Sequence, residues 1–188
     1  MSALREKILT VATDLFQTRG INSTGVDTIV AVAGTTKMTL YKYFKSKEIL
    51  ILEVLQQGHQ EFQSWLNAKL DQSSKKPAEK LQKLFDFVEE WVMSPDFRGM
   101  AFMKASAEFP NEENIIHKLS AEHAKEFRSY IADIASQAGV IEAEALALQL
   151  SMLIEGAIQA EQMKRGSGAI KYAKKAAKVL IDAAPKKP

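Results

Sequence analysis

The chain of 188 residues contains no cysteine, which excludes disulfides and thiolate metal sites. No uncharged apolar run approaches the ~18 residues of a membrane span. The start, MSALREKIL, is charged and amphipathic where a signal peptide needs an apolar core, so a cytoplasmic protein with no membrane partner is expected. Strand-like alternation, internal repeats and low-complexity tracts are missing as well. So are the signatures of catalysis: there is no G-x-S-x-G, P-loop or dinucleotide fingerprint. Ser73 and Lys76 satisfy S-x-x-K, but in a polar linker and without K-T-G or S-D-N. His59, His117 and His123 are scattered, and a spacing of six between the last two does not stack them on a helix face as an i, i+4 metal pair requires. No enzyme, cofactor or metal site is expected.

One absence is local. Residues 28–47 hold four lysines and no acidic side chain, and they sit inside a stretch that reads as two short helices around a glycine turn. Thr24 is placed to cap the first, with Asp27 in its first turn and Val26, Ile29, Val30 and Ala33 at helical spacing. Gly34 ends it, because glycine accepts positive φ. Thr36 can cap a second helix that turns Leu40, Tyr43 and Phe44 toward a core, leaving Lys37, Thr39, Tyr41 and Lys42 outward as donors for phosphates and base edges. Residues 1–50 carry seven basic and four acidic side chains, net +3, whereas the remainder is −1. The basic excess belongs to the segment that would face a polyanion.

Residues 8–50 also carry A-x-x-L-F-x-x-x-G at Ala12 to Gly20, an A-G turn at Ala33-Gly34, and T-L-Y-x-Y-F-x-S-K-E-x-L from Thr39 to Leu50. In these motifs the segment resembles the DNA-binding region of TetR-family bacterial transcriptional regulators. The resemblance implies an all-α fold of about nine helices, with a three-helix helix-turn-helix domain over residues 1–47 and a helical effector-binding and dimerisation domain over 48–188. It implies that the second short helix enters the major groove of an operator, with Thr35, Thr36, Lys37, Met38, Thr39, Tyr41, Lys42 and Tyr43 at double-stranded DNA and with Thr24 and Lys47 on phosphates. Ser46 would cap the next helix beside Lys47. Met38 stands where many members have a small residue, which bears on operator sequence rather than on the mode of binding.

The rest reads as helices near residues 3–19, 47–70, 77–93, 97–109, 115–138, 142–163 and 169–184, followed by a Pro-Lys-Lys-Pro tail expected to be disordered. In the last helix Lys171, Lys174, Lys175, Lys178 and Asp182 share one sector, and the apolar arc opposite is wider than a single packing contact requires. The helix before it is similar. The resemblance implies a homodimer through these two helices, for which Leu148, Met152, Ile158, Ile170, Ala173 and Ala177 are the candidates. Aromatic and apolar side chains of the central helices are candidates to line a site for an apolar or aromatic small-molecule effector. They are Phe62, Trp65, Phe85, Phe102, Met103, Phe127 and Met152, with Glu108 and Glu155 as carboxylates that would need a partner if buried. The function expected is a ligand-responsive repressor released from a palindromic operator. The alternatives are an activator and a helical small-molecule-binding module without a DNA role.

Overall fold

The computed structural model describes residues 2–187. Among the described residues the chain forms nine helices: α1 (Ala3–Arg19), α2 (Val26–Ala33), α3 (Lys37–Tyr43), α4 (Lys47–Ser73), α5 (Pro77–Met93), α6 (Ala101–Glu108), α7 (Ile115–Gln137), α8 (Ala143–Met163) and α9 (Ala169–Ala183). The fold is all-α, as expected. None of these helices is long and apolar enough to cross a membrane.

Packing groups the residues differently from a division at 47/48. One compact unit takes the chain up to Glu61 together with Met100–His123; the other takes Phe62–Gly99 and the chain from Ala124 onward. Helix α6 and the start of α7 therefore belong with the helix-turn-helix.

In the first unit α1 supplies Ile8, Leu9, Ala12, Leu15 and Phe16 to a core shared with Ile29, Val30 and Ala33 of α2, Leu40 of α3, Leu50, Ile51, Val54 and Leu55 of α4, Ala105 and Ile116. Helices of eight and seven residues are marginal alone in water, because nucleation costs more than so few hydrogen bonds return. Helix α3 persists because Leu40 and, just past its end, Phe44 are fully buried. Arg5 lies 4.8 Å over the Phe44 ring and pairs with Glu53, fastening α1 to α4.

In the second unit α9 packs against α8 and α5. Ile170, Ala173, Ala177 and Ile181 recur every three or four residues on its buried face. The α8–α9 corner is built around Glu161, a buried carboxylate that accepts from the Gly166 amide (2.8 Å), the Gly168 amide (2.8 Å) and the Ser167 hydroxyl (2.7 Å). Arg165 donates to the Val92 and Ser94 carbonyls at 2.6 and 3.0 Å, satisfying the C-terminal end of α5.

Three local expectations are corrected. The helix expected from residue 97 begins at Ala101: the chain turns over residues 94–96 and is irregular over 97–100, where Gly99 takes a φ of +83°. The cap of α2 is Gly25, not Thr24, whose hydroxyl donates instead to the Gly20 carbonyl at 2.7 Å. The tail is ordered through Lys187: the Ile141 amide donates to Pro185 O at 2.9 Å and the Lys187 amide to Gly139 O at 2.8 Å, a single antiparallel bridge that satisfies backbone groups of the α7–α8 turn. Pro188 lies outside the described residues.

The Glu161 corner generates a prediction. Burial alone would raise this carboxyl, but Ser167, Gly166 and Gly168 outweigh burial and hold it below the ordinary glutamate value of 4.5. A depressed folded value stabilises the native state above 4.5, and that contribution is lost as pH falls below it. Glu161→Ala strands two amides and is expected to cost about 1–3 kcal/mol. Urea unfolding at neutral pH and at acid pH checks both statements, since the difference between wild type and variant shrinks on acidification.

Candidate nucleic-acid interface

The turn between α2 and α3 is built as its residues dictate. Gly34 adopts the left-handed conformation at φ +65°, and the Thr35 amide donates to Val30 O at 2.9 Å. Thr36 caps α3 by accepting from the Thr39 amide at 3.2 Å. With Leu40 inward, the opposite face presents Lys37, Met38, Tyr41 and Lys42, all exposed, with Thr35 and Thr39 half-buried beside them. Met38 is 81% exposed. The surface thus offers ammonium and hydroxyl donors around an apolar tip, which matches the acceptors and thymine methyls of a major groove.

Other expected DNA contacts are placed differently. Thr24 is fully buried, its hydroxyl turned back onto the end of α1. Lys47 donates to Ile21 O at 2.7 Å, and burial lowers its pKa against the opposing pull of Glu108. Both side chains hold the α1–α2 corner rather than stand ready for phosphate. Tyr43 is half-buried and shares a 3.0 Å hydrogen bond with the Ser2 hydroxyl. Ser46 caps α4 as expected, accepting from the Ile49 amide at 3.1 Å. Sequence reading did not anticipate that Asp27 of α2 pairs with Lys37 at 2.7 Å, raising the lysine pKa by hydrogen bonding and by charge. The first cation of the reading helix is held by a carboxylate.

The effector candidates divide between the units. In the second, Phe62 meets Trp91 at 4.9 Å and Phe127 at 6.1 Å between ring centroids, Trp65 stands 5.9 Å from Phe62, and Phe97 packs edge-on against Trp91. Glu155 is half-buried, its carboxyl pushed up by burial against the opposing Arg128. Phe85 is buried and lines a different feature, a cleft of about 740 Å³ between α5 and α9 whose other walls carry Asp86, Glu89, Lys171 and Lys174. Met152 is 62% exposed, on the outer face of α8.

In the first unit Phe102 stands edge-on to His123, which stacks on His59 with centroids 4.0 Å apart, so two histidines that look scattered in sequence are neighbours. Met103 is half-buried on the same helix. Glu108 is committed elsewhere: it accepts from the Ile21 amide at 2.9 Å and the Asn22 amide at 2.7 Å, which corrects its candidacy as an effector carboxylate.

The dimer candidates also divide. Ile158, Ile170, Ala173 and Ala177 are buried within their own unit. Leu148 and Met152 are exposed, and on α9 the exposed apolar residues are Tyr172 and Val179, at 71% and 67%. The wide apolar arcs are real, but their outer edges fall on residues other than four of the six expected.

A seven-residue helix carrying donors, anchored behind a glycine turn and a capped start, is a helix-turn-helix reader. Residues 8–54 match the model for bacterial regulatory proteins of the tetR family. The chain is 37% identical over 84 residues to the HTH-type transcriptional repressor KstR2 of Mycolicibacterium smegmatis, a match covering 43% of this chain and 39% of that one. It is 28% identical over 161 residues to the HTH-type transcriptional regulator LmrA of Bacillus subtilis, covering 82% and 84%. The structure of a TetR-family regulator from Streptomyces coelicolor superposes with a TM-score of 0.90 at 28% identity over 96% of this chain and 95% of that one. Together these matches support a TetR-family bacterial transcriptional regulator, with the family model itself covering the helix-turn-helix segment.

Removing the carboxylate beside Lys37 tests the electrostatics of this face. Asp27→Asn is expected to raise affinity for any duplex by about two- to fivefold at low salt, the scale of one exposed ion pair, with the gain fading as salt rises. Fluorescence anisotropy of a labelled duplex across a salt series measures it.

Proposed function

We propose that the protein is a homodimeric repressor that binds a palindromic operator through α3 and is released by an apolar or aromatic small-molecule effector, acting in the cytoplasm. The observation that carries the DNA role is the exposed set Lys37, Met38, Tyr41 and Lys42 on a helix whose other face is locked into a core. The repressor name of KstR2 supports the sign of regulation.

Dimerisation is supported by the exposed apolar residues Leu148, Met152, Tyr172 and Val179 on neighbouring helices α8 and α9. A twofold pair of readers would meet half-sites about 34–36 Å apart and so select palindromes. The aromatic set Phe62, Trp65, Trp91 and Phe127 with the Glu155 carboxyl supports an effector with a flat apolar body and a hydrogen-bonding or cationic group. Helix α4 is continuous for 27 residues, and we assign it the task of carrying an effector-induced displacement back to Lys47. The effector then weakens operator binding only by as much as it prefers the arrangement that does not bind.

The test is selection of duplexes from a random pool, with the fragment upstream of the gene in parallel, each titrated against salt. Selective binding at two chains per site, with steep salt dependence, is the expected result; equal weak binding to every duplex overturns the reading. On the selected duplex Lys42→Ala should weaken binding and reduce the salt slope by about 1, whereas Met38→Ala should relax base preference with the slope unchanged. Met152→Glu is expected to yield monomers by sedimentation and to abolish binding to the two-site duplex while the helical circular dichroism is retained.

A further inference from the structure

We propose that Glu108 of α6, with Lys104 one turn before it, is a positioning residue for DNA recognition: it fixes the α1–α2 corner from which the reading helices extend. The inference rests on the DNA role above. It concerns a residue far outside the 8–54 stretch that matches the family.

In the corner from Gly20 to Gly25 the buried Thr24 hydroxyl donates to Gly20 O at 2.7 Å. Within it, the Gly20 amide reaches Phe16 O at 3.1 Å and the Thr24 amide reaches Ile21 O at 3.3 Å. The amides of Ile21 and Asn22 find their acceptors on Glu108, one carboxylate oxygen each. The Asn22 side-chain amide donates in turn to Glu108 O at 3.1 Å. Lys104 adds a 3.2 Å bond to Gln17 O in the last turn of α1, and Lys47 donates to Ile21 O at 2.7 Å. A two-oxygen, charge-assisted grip on consecutive amides fixes direction as well as distance. Gly20 fits this grip twice over: its φ is +88°, and a Cβ there would stand 3.3 Å from the nearer Glu108 oxygen.

The lead into α2, and through the Gly34 turn into α3, is therefore held by a side chain of α6 in addition to the core contacts of Ile29, Val30, Ala33 and Leu40. Any displacement of α6 moves the acceptors of the corner. The corner must follow or lose two hydrogen bonds, and a corner that follows re-aims Lys37, Met38, Tyr41 and Lys42.

The sign of the effect separates positioning from electrostatics. Neutralising an acidic residue in a unit that binds a polyanion should strengthen binding if charge is all that matters. Glu108→Gln keeps the shape but turns an NH₂ donor toward an amide donor, so positioning demands weaker binding. On the duplex selected by the wild type, Glu108→Gln is expected to lower affinity about tenfold or more, the scale of a lost charge-assisted hydrogen bond, with an unchanged salt slope. Hydrogen exchange of the Ile21 and Asn22 amides in the free protein should accelerate, whereas in Lys42→Ala it should not. Asn22→Ala removes only the third bond and should give a smaller loss; it carries the test if Glu108→Gln fails to fold. Unchanged or tighter binding by the folded variant overturns the proposal while leaving the DNA role intact. Failure of the wild type to select any duplex overturns the DNA role instead.

Discussion

Burial of Leu40 and Phe44 is the interaction on which the reading surface depends. Seven residues do not make a stable helix in water, so α3 exists only as long as these two side chains remain in the core of the first unit. Its outward residues inherit their geometry from that anchorage. Lys37, Met38, Tyr41 and Lys42 are selected for what they touch because Leu40 and Phe44 have already decided where they point. Arg5, stacked on Phe44 and paired with Glu53, ties the same anchorage to α1 and α4.

Around that anchor the electrostatics are arranged in opposed pairs. Asp27 restrains Lys37 at the exposed face, and Glu108 stands near Lys47 behind it. The net basic excess read from residues 1–50 is therefore not delivered uniformly to the surface. Lys42 and Lys45 are exposed, Lys37 is shared with a carboxylate, and Lys47 serves the backbone of the α1–α2 corner. A count of charges along the sequence overstates the number of ammonium groups available to phosphate.

What was legible in the sequence was what is decided locally. The Gly34 turn, the Thr36 and Ser46 caps, the periodic burial of α1 and the succession of helices each depend on residues within a turn or two, and composition reveals them. Thr24 defeated the same reasoning because the acceptor of its hydroxyl lies on the preceding helix end. Glu108 defeated it because its donors are 86 and 87 residues away. The wide apolar arcs of α8 and α9 were visible, yet periodicity does not say which edge of an arc a chain uses for itself. Ile158, Ile170, Ala173 and Ala177 turned out to be that edge, while Tyr172 and Val179, overlooked, are the other. The Asp27–Lys37 pair spans two helices and could be inferred only once the turn between them was known.

The aromatic cluster of the second unit has an optical consequence. Trp65 and Trp91 are the only tryptophans in the chain, and both stand within 6 Å of the Phe62 ring. Emission excited at the red edge of protein absorption, where tryptophan absorbs and tyrosine does not, therefore originates from a single neighbourhood, and the reading helix, which carries tyrosines alone, contributes none of it. The molecule comes with a built-in lamp at one end of its proposed signal path and none at the other.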